Sequence, residues 1–201
     1  ADENTSTVIV RTLFETALTP SLVEEGFFDT WTNATWGTEL NALYSVASTM
    51  ANDEGKLVIN ELSNLTTIKV ATLEVAATVA DDSTLAQSLL KQPLTDMGVD
   101  TNEITSWNDE LTGLVSVART IAVEQDGELV LDINNIGTQL ENEVPLATLK
   151  AARDVFVSSN ENTSTIILRT LFEDALCPSV VEEGFFNGYT TGTPLTILIE
   201  N

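Results

Sequence analysis

Glu3 to Phe28 reads ENTSTVIVRTLFETALTPSLVEEGFF, and Glu161 to Phe186 reads ENTSTIILRTLFEDALCPSVVEEGFF. The two stretches align at an offset of 158, and 21 of 26 positions are identical. The five changes are Val8/Ile166, Val10/Leu168, Thr16/Asp174, Thr19/Cys177 and Leu22/Val180. Chance does not produce such a match. A large unit has been duplicated, and self-similarity at a fixed period is the mark of a repeat architecture.

A weaker repeat lies inside the first. Trp36 opens WGTELNALYSVASTMANDEGKLVIN and Trp107 opens WNDELTGLVSVARTIAVEQDGELVLD. The offset is 71 before the glycine and 72 after it, so one residue is inserted. Val70 to Leu73 matches Leu146 to Leu149 at 76, and Ser83 falls where Ser6 and Ser164 fall. The basic unit is then about 76 to 81 residues long. Residues 1–81 form a first unit, 82–160 a second and 161–201 a partial third.

Hydrophobic periodicity predicts a mainly α fold of tandem three-helix repeats, with a short strand after the second helix of each unit. The first helix covers Ser6 to Leu18, Ser83 to Leu90 and Ser164 to Leu176. Val10, Leu13, Phe14 and Ala17 follow the i, i+3, i+4, i+7 spacing of a buried stripe, as do Leu168, Leu171, Phe172 and Ala175. Pro20, Pro93 and Pro178 are expected to stop this helix. The second helix covers Thr35 to Ala51 and Ser106 to Val123, with Ser106 and Asp109 as a capping-box-like start. Its buried face is Leu40, Leu43, Tyr44, Val46 and Ala47, matched by Leu111, Leu114, Val115, Val117 and Ala118. Gly55 and Gly127 are expected to end it in the left-handed conformation. Lys56 to Asn60 and Glu128 to Asp132 read as strands. The third helix covers Ile68 to Val79 and Val144 to Val157. The third unit departs after Tyr189, lacks a second helix, and offers Leu195 to Glu200 as a strand. Its first helix is expected to pack on Val144 to Val157, and Leu195, Ile197 and Ile199 to form an edge open to head-to-tail assembly.

Composition narrows the function. The 201 residues hold 31 acids, 8 bases and no histidine, for a net charge of −23. Nucleic acids are disfavoured as partners, because phosphate binding needs clustered Lys and Arg; anionic membrane surfaces are disfavoured for the same reason. No apolar run reaches the roughly eighteen residues that a membrane-spanning helix needs. No basic segment precedes an apolar one, so the chain reads as a mature or internal portion. The single Cys177 excludes an internal disulfide or a cysteine-built metal site, and Thr19 stands at its place in the sister copy.

Each candidate site has a plainer reading. VEEGFF, at Val23 to Phe28 and Val181 to Phe186, is a paired-phenylalanine epitope or a turn with buried rings; Phe usually lies in the core. Trp36 and Trp107 read as helix packing. Asn52, Glu54 and Glu61 invite a calcium loop, but with Gly55 or Gly127 at position six, position one is Met50 or Ala122, and Ile133 takes position twelve of the second copy. An EF-hand needs oxygen at both ends. Glu24–Glu25 and Glu182–Glu183 are neighbours in a turn rather than carboxylates facing across a cleft. No histidine base and no Gly-rich phosphate loop is present, so no enzyme, cofactor or resident metal is expected. Asn4, Asn33, Asn64 and Asn162 stand in N-x-S/T sequons. Arg11–Glu15 and Arg169–Glu173 are i, i+4 pairs.

The chain contains 29 threonines and only four lysines. Acidic, Thr-rich, Lys- and Cys-poor composition resembles that of prokaryotic cell-surface and secreted proteins. The S-T-x-x-x-R-x-L helix from Ser6, the W-x-x-E-L helices from Trp36 and Trp107 and the acidic glycine turns resemble repeats of very large proteins of that class. That resemblance implies a structural segment of an extracellular stalk, fibre or filament, its partners being neighbouring repeats or copies of itself. It brings no ligand residue with it. A receptor-binding adhesin module and an acidic calcium-binding surface domain are the alternatives. Self-repulsion at −23 predicts that physiological salt raises the melting temperature above its low-salt value. A melting temperature unchanged or lowered by salt contradicts this.

Overall fold

Helical periodicity in the sequence is followed by the backbone over most of its length. The computed structural model describes residues 5–19, 21–134, 136, 144–158 and 166–176. Among them are α1 (Thr5–Leu18), α2 (Asn33–Met50), α3 (Val70–Val79), α4 (Thr84–Asp96), α5 (Trp107–Ile121), α6 (Leu146–Ser158) and α7 (Ile166–Leu176). Short 3₁₀ turns stand at Ile59–Asn64, Ala80–Asp82 and Thr101–Glu103. The strands are β1 (Thr67–Lys69), β2 (Val123–Gln125) and β3 (Glu128–Asp132). They form an antiparallel sheet in the order β1-β3-β2, with Ile68 opposite Leu131 and Glu124 opposite Leu129. The fold is thus mainly helical with one small sheet.

Helix α3 packs on α2 and α5, α2 also packs on α4, and α5 carries α6 and α7. Leu73, Leu85, Leu89, Leu90, Leu111 and Leu114 are almost wholly buried in the principal core. A second cluster of Val117, Ala152, Phe156, Leu168 and Phe172 joins α5, α6 and α7, which places α7 on α6 as its apolar stripe requires. Gly113 permits this close approach: a Cβ there would stand 3.1 Å from Val155 Cγ1 and 3.5 Å from Leu168 Cδ1. Arg119 reaches Glu74 at 2.7 Å and ties α5 to α3, while Lys69 reaches Glu128 at 2.7 Å across the sheet.

The expected start at Ser106 is found, and two further helices begin with the same chemistry. Thr32 accepts from Thr35 N before α2, Ser83 from Ala86 N before α4, and Ser106 from Asp109 N before α5. Such side-chain acceptors satisfy donors that the first turn leaves unpaired.

Several expectations are corrected. Lys56 to Asn60 is not a strand; its end enters the 3₁₀ turn at Ile59–Asn64. The inserted residue of the second copy explains the difference. There, Val123–Gln125 supplies a hairpin arm, and Asp126 and Gly127, both at positive φ (53° and 83°), close a two-residue turn onto β3. In the first copy the turn closes directly after α2, held by Asn52, whose Oδ1 accepts from Glu54 N and Lys56 N. No arm is left for Lys56 to Asn60 to pair with, and β3 pairs with β1 instead. Gly55 and Gly127 do adopt positive φ, but in these turns, after α2 and α5 have ended at Met50 and Ile121. Ile68 and Lys69, read as the start of the third helix, belong to strand β1 (Thr67–Lys69).

Pro93 does not stop α4. The helix continues to Asp96 and ends at Gly98, where Val99 N donates to Leu94 O and Gly98 N to Thr95 O, the Schellman pattern. Leu94, Met97 and Val99 are buried beyond the proline, and that burial offsets the one backbone bond its ring removes. Tyr44 is 74% exposed rather than part of the buried face of α2. Leu195 to Glu200, with Leu195, Ile197 and Ile199, lies outside the described residues, as do Val181 to Phe186 and Cys177.

The largest correction concerns α1. Val10, Leu13 and Phe14 are 47%, 65% and 38% exposed, whereas their counterparts Leu168, Leu171 and Phe172 in α7 are each 1% exposed. Of the α1 side chains from Val8 to Leu18, only Leu18 is buried. Among the described residues nothing packs over the stripe of α1 as α5 and α6 pack over that of α7. Phe172→Ala is therefore expected to cost about 3–5 kcal/mol by chemical denaturation, and Phe14→Ala about 1 kcal/mol or less. Equal losses at the two positions would contradict the asymmetry.

Candidate functional site

Two carboxylates occupy positions where the helical stripe calls for apolar side chains. Glu39 stands one turn after Trp36 on α2, and Glu110 one turn after Trp107 on α5. Both tryptophans are 5% exposed, Glu39 is 7% and Glu110 is 1% exposed. An ionised group at such depth is costly unless it is fully hydrogen-bonded.

Each glutamate finds its donors at the start of a helix much later in the chain. Glu39 Oε2 accepts from Ser83 Oγ at 2.6 Å and Leu85 N at 3.0 Å, and its Oε1 accepts from Thr84 Oγ1 at 2.8 Å. Ser83 Oγ in turn accepts from Ala86 N at 3.0 Å. Glu110 Oε1 accepts from Ile166 N at 2.7 Å and Oε2 from Ile167 N at 3.0 Å. Leu85 and Ile166 are equivalent positions when Ser83 is aligned with Ser164. The bonds are charge-assisted, and the carboxylate meets the positive end of the helix dipole. One geometric rule serves two places: the glutamate of the W-x-x-E-L helix holds the N-terminus of the next serine-led helix.

Neighbouring polar contacts also recur. Thr49 Oγ1 bonds Thr72 Oγ1 at 2.9 Å, and Thr120 Oγ1 bonds Thr148 Oγ1 at 2.9 Å. Asp81, just beyond α3, caps α5: its Oδ1 accepts from Trp107 N at 2.7 Å and Asn108 N at 3.2 Å, and Asp81 N donates to Asn108 Oδ1 at 2.9 Å.

The residues singled out by sequence fall as follows. Val23 and Phe28 are buried, and Phe27, Phe28, Trp31 and Trp36 form one aromatic cluster, with Phe28 stacked on Trp36 at 4.8 Å between centroids. Gly26 makes the turn at φ 83°. The rings thus serve packing, while Glu24 and Glu25 are exposed. The oxygen of Asn52 is taken by backbone donors and Glu54 pairs with Lys56 at 2.5 Å. Among the described residues no three His, Cys, Asp or Glu side chains converge as metal ligands. A groove of about 320 Å³ lies between the end of α2, the segment from Lys56 to Leu65 and the sheet, with Thr49, Lys69 and Glu128 at its wall. Asn33 and Asn64 are exposed; Asn4, Asn162, Glu182 and Glu183 lie outside the described residues. Arg11 pairs with Glu15 at 3.6 Å; Arg169 reaches Glu103 at 3.8 Å, and the side chain of Glu173 lies outside the described ones.

Sequence reasoning used Glu-Leu as a mark of the repeat and did not give Glu39 or Glu110 a role. The signal was available: an acid inside an apolar stripe, kept at the same place in both copies. No protein-family model matches the chain, and no curated protein or solved structure gives a significant match either. Among the described residues no helix is long and apolar enough to cross a membrane.

Glu110→Ala leaves the N–H groups of Ile166 and Ile167 without their acceptor in a buried site. The expected cost is about 1–3 kcal/mol, with faster hydrogen exchange at these two amides and unchanged protection in α4. Glu39→Ala should reverse the pattern, exposing Leu85 and sparing Ile166. Loss of protection spread evenly over both helices would contradict separate junctions.

Proposed function

We propose that this chain is a structural tandem-repeat segment, a spacer and assembly module of an extracellular fibre, stalk or surface filament. Its units are those of residues 1–81, 82–160 and the partial 161–201. The observation that carries the reading is the junction made twice, Glu39 on the start of α4 and Glu110 on the start of α7. Each unit contributes a buried acid to the next unit's first helix, so the joint is stiff and directional. Nearest-neighbour joints of one kind build a molecule whose length scales with copy number. The reading includes no catalytic step, cofactor or metal, and places the protein at the cell surface or outside the cell. Its support is the junction geometry together with the acidic, Thr-rich composition, whose charge keeps extended molecules apart.

The test is dimensional. Chains extended by one, two and three further copies of the 158-residue period are compared by small-angle X-ray scattering. The maximum dimension should grow by a constant increment per copy. A dimension growing as a flexible string does, with about the square root of copy number, overturns the rod.

A further inference from the structure

Val8–Leu18 and Ile166–Leu176 are identical at eight of eleven positions, yet one face is bare and the other covered. In α7, Ile167, Leu168, Leu171 and Phe172 are 0–1% exposed, seated on α5 and α6. In α1, the same positions are Ile9, Val10, Leu13 and Phe14, and they are 38–65% exposed. The surface that fits this face is the α5–α6 surface of this chain, with Gly113, Val117, Ala152 and Phe156.

We propose that α1 is a docking helix for a second copy of this chain, and that it enters the α5–α6 seat which α7 fills within each molecule. The side chains required by the seat are all present in α1. Leu13 and Phe14 replace Leu171 and Phe172 without change, Ile9 replaces Ile167, and Val10 is one methylene smaller than Leu168. Thr16 for Asp174 is the one change of charge. Within one molecule α7 holds the seat because its tether gives it a high effective concentration. When α7 leaves, α1 of another copy takes its place. Donor and acceptor are different surfaces of the same chain, so the contact is heterologous and head-to-tail, and it propagates unless the rotation closes a ring. This inference deepens the assembly-module reading and rests on it. Its test reads association in solution, whereas rod geometry is read by scattering of linked copies, so either can fail alone.

The experiment uses the full chain in sedimentation velocity over a concentration series. Leu171→Asp vacates the seat while leaving α1 intact; this variant should rise in mass with concentration beyond a dimer. Adding Leu13→Asp removes the donor, and the double variant should stay monomeric with the same helical content. Mixing the double variant, which can only accept, with Leu171→Asp at limiting amounts should cap the chains and shorten them. If Leu171→Asp unfolds the domain, Leu171→Ala replaces it, with the same outcomes required. A folded seat-vacant variant that remains monomeric at every concentration overturns the proposal. So does a double variant that associates as strongly, because exposed core rather than α1 would then be the glue.

Discussion

A carboxylate set into the apolar stripe of a helix has few acceptable surroundings. Glu39 and Glu110 are 7% and 1% exposed, and burial without partners would cost several kcal/mol. The first turn of a helix is the cheapest source of partners, since its N–H groups have none of their own. Each glutamate therefore demands a helix N-terminus at one place and one angle. Leu85 N at 3.0 Å and Ile166 N at 2.7 Å meet that demand. Once α4 is fixed on α2, and α7 on α5, the apolar side chains behind them have a defined partner: Leu89 and Leu90 of α4, Ile167 and Leu171 of α7. The polar bond selects the register, and apolar burial supplies most of the stability.

How much of this was legible depended on the distance over which each feature is decided. Helices α2 and α5 follow from local periodicity, and their buried faces were readable except at Tyr44, which is 74% exposed. Strand β3 was readable because Glu128 to Asp132 is a short apolar-rich run after a glycine, whereas the two-residue turn at Asp126-Gly127 was read as the end of a helix. Strand β1 was not, since Thr67–Lys69 is a strand only through its pairing with Val130–Asp132, far along the chain. Pro93 misled because its local effect is overridden by burial of Leu94, Met97 and Val99. The glutamate junctions were half legible: the sequence marks the acids as misplaced for a core, but their donors lie 44 to 57 residues away.

The stripe of α1 illustrates a different limit. Periodicity reports that a face is suited to burial, and it reports this equally for α1 and α7. Whether the face is covered depends on which surface stands beside it. For α7 that surface is α5 with α6; among the described residues α1 is placed beside nothing comparable. Two near-copies of one segment in different surroundings thus separate sequence from context more cleanly than a mutation does, because the side chains are held nearly constant.

Magnitudes decide what an uncovered stripe of this kind does. Burying Ile9, Leu13 and Phe14 contributes about 1.5–3 kcal/mol each when complete, less in proportion to what is already covered. Bringing two molecules together costs an estimated 4–15 kcal/mol in lost freedom. The terms are close, so the bare stripe alone does not condense the protein, and a net charge of −23 on each copy opposes encounter at low salt. The seat on α5 and α6 adds what a flat surface lacks: a glutamate that holds a helix N-terminus and a groove opened by Gly113. Raising ionic strength removes the repulsion without weakening apolar contact. The proposed association through α1 is then governed by two independent quantities, the occupancy of the seat by α7 and the screening of charge between copies. On the docking we propose, a module built this way stays dispersed where its own α7 is in place and joins its neighbour where that helix is released.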